Sequence, residues 1–160
     1  MTRQDNPPAF ALFELGFRPF FSAAGLFAVI TMLLWMLMYV FSEQLPLSGI
    51  YQASWHAHEM IYGYAMAAVA GFLLTAVSNW TGIPGTRGST LASLFALWLV
   101  ARVAWFIPGE FSVPLAAAAD GLFMLGLIVC VSLPVIRVRQ WTQLGIISKL
   151  WLILAANGLF

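Results

Sequence analysis

The chain has 160 residues, of which 62% are hydrophobic and only 8% charged: seven Lys or Arg against six Asp or Glu, a formal net charge of +1. Soluble domains are roughly a quarter charged, so a water-soluble globule is excluded, and so is a disordered chain, which requires low hydrophobicity. With a mean hydropathy of +0.91, the sequence reads as an integral membrane protein, to be judged by the lengths of its apolar runs.

The composition removes other classes as well. No basic stripe is available to neutralise phosphates, which excludes nucleic acid as a partner. The single cysteine, Cys130, excludes an intrachain disulfide and a cysteine-based zinc or iron–sulfur site. It lies in an apolar run and reads as a small packing residue. No phosphate-cradling glycine loop or nucleophile elbow occurs, and no second zinc histidine follows His58-Glu59.

A helix needs about 20 apolar residues to cross a bilayer. Five stretches meet or approach this: 20–41, 60–77, 91–107, 113–136 and 144–160. The expected fold is an all-α polytopic transmembrane bundle of about five helices in one domain. The first run is too long for a signal-peptide core and is read as a retained helix. Pro19 suits its first turn. Residues 42–59, with a turn at 45–49, are expected to link the first two helices. The segment 81–90 is a turn in which Ser89 or Thr90 caps the third helix. Residues 108–112 precede the fourth, with Ser112 as cap, and Pro134 kinks or ends it. The fifth run reaches Phe160 with no polar tail, and the chain is expected to be the front part of a longer protein. Arg3 and Arg18 precede the first helix, Arg87 lies in the second loop and Arg137 and Arg139 in the fourth, while the first and third loops hold no Lys or Arg. All five thus fall on one side, which puts the N-terminus inside.

Both histidines lie in Trp55-His56-Ala57-His58-Glu59, at the outer mouth of the second helix. Imidazole is the commonest metal ligand and the usual axial ligand of haem iron. On a helix, residues two apart point roughly 200° from each other, so His56 and His58 serve different partners there; in an extended segment they converge. His56 and Glu59 share a helical face, where Glu59 can orient the imidazole. That face continues into a row of small residues, Gly63, Ala67, Gly71 and Thr75. Such a row admits the close approach of another helix, or leaves room for a flat macrocycle beneath His56.

Three further ionisable residues interrupt the apolar runs: Arg102, Asp120 and Lys149. Arg102 and Asp120 sit at similar depth on antiparallel neighbours. They are expected to pair, with an anion such as a haem propionate as the alternative partner of Arg102. Lys149 can snorkel to the inner interface. The tryptophans at 55, 80, 98, 105, 141 and 151 read in part as interfacial belts. Met32, Met36 and Met38 read as core filling rather than a copper(I) ladder.

Three blocks carry a family resemblance: Leu12-Phe13-Glu14-Leu15-Gly16-Phe17-Arg18-Pro19-Phe20-Phe21; Trp55-His56-Ala57-His58-Glu59-Met60 with Ala70-Gly71-Phe72-Leu73-Leu74-Thr75-Ala76-Val77; and Asn79-Trp80-Thr81-Gly82 with Pro84 and Arg87-Gly88. On these the chain resembles the NnrS family of bacterial membrane proteins. The resemblance implies a haem- and copper-containing protein of the bacterial cytoplasmic membrane, associated with nitric oxide metabolism, resistance to nitrosative stress and denitrification. Family members commonly run well beyond this length. Carried over, the resemblance makes His56 and His58 candidate haem or metal ligands and Glu59 their supporting partner. Arg18 and Asn79 are further motif members, and Arg102 is a candidate cofactor contact. Reductase, sensor and scavenger of nitric oxide all fit it. The alternatives are a small-solute transporter or channel without cofactor, and a structural subunit of a larger complex. Expected partners are the lipid bilayer, a small molecule such as nitric oxide, and further helices or a second copy of the chain.

Overall fold

A computed structural model describes residues 12–43, 45–47 and 50–158. Arg3, the Ser48-Gly49 part of the expected turn, and Phe160 lie outside the described residues. After a short 3-10 turn, Leu12–Glu14, the chain forms α1 (Phe17–Val40), α2 (Gln52–His58), a π-helical segment (Glu59–Ala65) and α3 (Met66–Thr81). It continues through α4 (Gly88–Ala104), α5 (Ser112–Arg137), a second 3-10 turn (Trp141–Gln143) and α6 (Leu144–Asn157). The π segment joins α2 and α3 into one rod, so five helical rods make the bundle. Among the described residues there is no strand. Three rods are long and apolar enough to cross a membrane, Phe17–Val40, Gln52–Thr81 and Ser112–Arg137, while Gly88–Ala104 is a shorter apolar helix.

α5 is the central rod. Its buried stripe runs through Ala116, Ala119, Asp120, Phe123, Met124, Leu127, Ile128, Val131 and Val135, the three-and-four spacing of one helical face. It packs against α3, α4 and α6. Lipid tails are as apolar as leucine, so such helices associate through close packing and hydrogen bonds rather than through the hydrophobic effect. Glycines allow that closeness. At Gly126 a Cβ would stand 2.6 Å from Leu94 Cδ2 of α4. α1 lies outermost, burying a narrow stripe of Phe20, Ala24, Thr31 and Met38 against α3 and the π segment. Leu26, Val29, Leu33 and Val40 are exposed, an apolar surface suited to lipid.

The small-residue row of the second rod is the seat of α1. A Cβ on Gly71 would meet Phe20 Cβ at 3.2 Å, and one on Gly63 would run into the Phe27 ring and stand 2.8 Å from Arg102 Nη1. The space considered for a macrocycle beneath His56 is therefore filled by Phe27 of α1 and by Arg102.

The helix ends depart from expectation where polar residues are involved. The second rod begins at Gln52 rather than at 60, because Trp55, His58 and Glu59 are buried and belong to its inward face. It ends at Thr81, with Gly82 at φ 68° as a left-handed cap. α4 begins at Gly88, so Ser89 and Thr90 lie inside its first turn and no side chain caps it. Ser112 does not cap α5 either. Its hydroxyl donates to the Ala104 carbonyl at 3.0 Å, tying α5 to the end of α4. Pro134 stands inside α5, which ends three residues later at Arg137.

Substitution of Gly63 by alanine is expected to lower stability by about 1–3 kcal/mol through overpacking. Gly25→Ala, with nothing within 4 Å of the added carbon, should be neutral or stabilising through helix propensity. Thermal unfolding in detergent compares the two.

Candidate functional site

α4 docks on the second rod through three side chains spaced i, i+4, i+7: Trp98, Arg102 and Trp105, all buried. Each reaches across. Trp98 Nε1 donates to the Gly63 carbonyl at 2.9 Å. Arg102 Nη1 donates to Glu59 Oε1 at 2.9 Å, and Trp105 Nε1 donates to the same oxygen at 2.9 Å. The other guanidinium nitrogen, Nη2, donates to both carboxylate oxygens of Asp120 on α5. The expected Arg102–Asp120 pair is formed, and Glu59 is its third member.

His58 closes the cluster. Its Nδ1 lies 3.1 Å from Glu59 Oε1, and its Nε2 lies 3.1 Å from Asn157 Oδ1 near the end of α6 and 3.8 Å from Asp120 Oδ2. The imidazole stacks on the Tyr62 ring at 4.6 Å and meets Trp105 edge-on at 5.2 Å. The Tyr62 hydroxyl donates to the Ile153 carbonyl of α6 at 3.1 Å. Glu59 and Asp120 are 1% exposed, His58 3% and Arg102 5%. Two carboxylates, a guanidinium and an imidazole from three rods, joined by the Asn157 amide of a fourth, thus form one interior polar network. In hydrocarbon such groups persist only when they partner one another.

The π segment helps to build this. A single wide turn inside an α-helix recurs at functional sites, and here Glu59, Tyr62 and Gly63 all point inward. His56 goes elsewhere. As helical spacing requires, it diverges from His58, and its ring stacks on Trp35 of α1 at 4.3 Å and 15°. His56 Nδ1 is buried with no hydrogen-bond partner, as is the neighbouring Trp55 Nε1. The expected support of His56 by Glu59 is not what forms: Glu59 faces His58, on the rod's inward side, while His56 lies on the flank toward α1.

Some members escaped the sequence reading. Asn157 is the lone amide in an apolar run, a signal that pointed inward. Trp98 and Trp105 were assigned in part to interfacial belts. Their spacing around Arg102 marks them instead as one buried face, and Trp55 is buried too. Trp141 and Trp151 are exposed. Lys149 is exposed and stands apart from the cluster.

These features define a polytopic membrane bundle with a closed ion cluster among three of its rods, tied to a fourth by Asn157. The chain belongs to the NnrS family: the family model described as NnrS protein matches residues 11–160. Neither a curated protein nor a solved structure matches the chain.

Removing the guanidinium leaves two buried carboxylates without their shared cation. Arg102→Leu is expected to cost about 3–5 kcal/mol. Asp120→Asn, which leaves Arg102 on Glu59, should cost less, about 1–3 kcal/mol. A double-mutant cycle between the two positions, read by unfolding in mixed detergent, should return a coupling of about 0.5–3 kcal/mol.

Proposed function

We propose that this protein binds haem in the bacterial cytoplasmic membrane and acts in the response to nitric oxide or nitrosative stress, with His56 as the haem ligand. The observation that carries this reading is the His56 ring itself. A buried imidazole nitrogen with no partner is costly unless something takes it up, and stacking on Trp35 holds the ring in one orientation. Family membership supports the same direction. With the N-terminus inside, His56 lies on the outer side of the membrane.

The donor set offers a single imidazole, and because Phe27 and Arg102 fill the Gly63 side, a haem held by His56 would lie off the small-residue row. His58 is differently placed, because both its ring nitrogens are engaged and ligation by it would break a bond to Glu59 or Asn157. Among the described residues no three His, Cys, Asp or Glu side chains come together as a metal-ligand set. The residues described therefore do not fit a copper ion shared by His56 and His58. Haem, when bound, supplies an iron that takes up diatomic gases. The protein's own part is to orient His56 through Trp35 and to anchor its helix two residues further on through the His58–Glu59–Arg102–Asp120 cluster. Arg102 acts in this reading by fixing Glu59 rather than by meeting a propionate. The solute-channel alternative gains nothing from the cluster, whose ionisable members are at most 5% exposed.

Protein purified in detergent and loaded with haem is expected to show a Soret band that shifts on addition of nitric oxide. His56→Ala should abolish the band, and free imidazole should restore it. A folded wild-type chain that stays colourless after loading would overturn the proposal.

A further inference from the structure

At the other end of the second rod, about 22–28 Å from Glu59 at 1.5 Å per residue, all three sequence blocks meet away from the ion cluster. Gly16 lies against α3, where a Cβ would come 2.6 Å from Leu74 Cβ, and Gly85 lies against the Leu74 carbonyl, where a Cβ would come within 3.1 Å. This double approach floors a cavity of about 200 Å³ lined by Glu14, Thr75, Ser78, Thr86 and Arg87. An apolar groove of about 280 Å³ adjoins it, lined by Phe17, Phe21, Phe72 and Ala76, and Thr75 borders both. Both lie where α1 begins and α3 ends, at the ends of two rods long and apolar enough to cross a membrane.

We propose that this site binds a phospholipid whose head group carries a primary ammonium beside its phosphate. The hydrogen-bonding capacity of the lining sets the choice. The Thr75 hydroxyl donates to the Gly71 carbonyl at 2.9 Å, and the Ser78 hydroxyl donates to the Thr75 carbonyl at 2.8 Å. With their hydrogens committed to the helix, both oxygens offer only lone pairs. Together with the Glu14 carboxylate they make an acceptor set for a group with several N–H donors. A primary ammonium meets that need and a quaternary one does not. Arg87 is the complementary cation for the phosphate. Glu14 and Arg87 are both exposed, and no ion pair joins them among the described residues, so each is free to meet its half of a zwitterion. The adjoining phenylalanine groove takes an acyl chain, which makes the lipid, rather than a soluble phosphoamine, the occupant.

The test is native mass spectrometry of the full chain with equimolar phosphatidylethanolamine, phosphatidylcholine and phosphatidylglycerol. The ethanolamine lipid should be retained about fivefold over the other two, the scale of one exposed charged contact. Glu14→Gln should remove that preference, and Arg87→Gln should weaken retention of the ethanolamine lipid. Ala76→Trp, which fills the groove and leaves both charged groups in place, should weaken retention of all three lipids. Equal retention of the three lipids by the wild-type chain would overturn the proposal, as would an unchanged preference in Glu14→Gln. Displacement of the lipid by soluble phosphoethanolamine at equal concentration would overturn the acyl groove. None of these readings involves haem or His56.

Discussion

A guanidinium cannot stay in a hydrocarbon interior without partners, and the inner architecture of this bundle follows from how Arg102 meets that requirement. Its two terminal nitrogens are divided between carboxylates on different rods, Glu59 on the π segment and Asp120 on α5. α4 is thereby fixed in both directions. Glu59 Oε1 also accepts from Trp105 and lies beside His58 Nδ1, so one oxygen serves three neighbours. Gly63, next to Arg102 Nη1, has no side chain because the guanidinium and Phe27 occupy that space. Charge neutralisation and close packing are here a single constraint, which a change at Gly63, Arg102 or Glu59 would violate in different ways.

Much of this was legible in the sequence, and the reasons for the remainder are physical. Length and apolarity of the runs define the five rods. Arg102 and Asp120 are recognisable as partners because antiparallel neighbours bring the charges of two apolar helices to one depth. Glu59 was harder to place. Its polar neighbourhood, Trp55-His56-Ala57-His58-Glu59, resembles a loop when hydropathy decides, yet the helix runs through it, because the inward His58 and Glu59 find partners. Hydropathy counts the cost of a polar residue and not the partner that offsets it. The π turn has no compositional mark at all. Asn157 and Trp105 belong to the cluster through tertiary contact, although the spacing of Trp98, Arg102 and Trp105 on one face was available to be read.

The two histidines illustrate how one short segment separates two tasks. His58 is built into the interior, between carboxylate and amide. His56, two residues earlier, keeps a nitrogen unpartnered against an aromatic floor. A helix makes the division unavoidable, since neighbours two apart cannot face one partner. The rigid member of the pair holds the backbone that carries the other.

The wiring of the cluster also sets an order for its biogenesis. As helices emerge one after another, Glu59 enters the membrane in the second rod before any cation is present to match it. Arg102 comes with α4, and Asp120 follows on α5, the next helix. Asn157, which meets His58 Nε2, and the Ile153 carbonyl, which receives Tyr62, are both on α6. Glu59 is therefore matched once α4 is in place, α5 adds a second carboxylate that shares the same guanidinium, and the hydrogen bonds of His58 and Tyr62 to α6 form only when that helix docks. α6 works as a latch, and a chain halted after α5 would hold its ion pairs and leave its histidine half-bound.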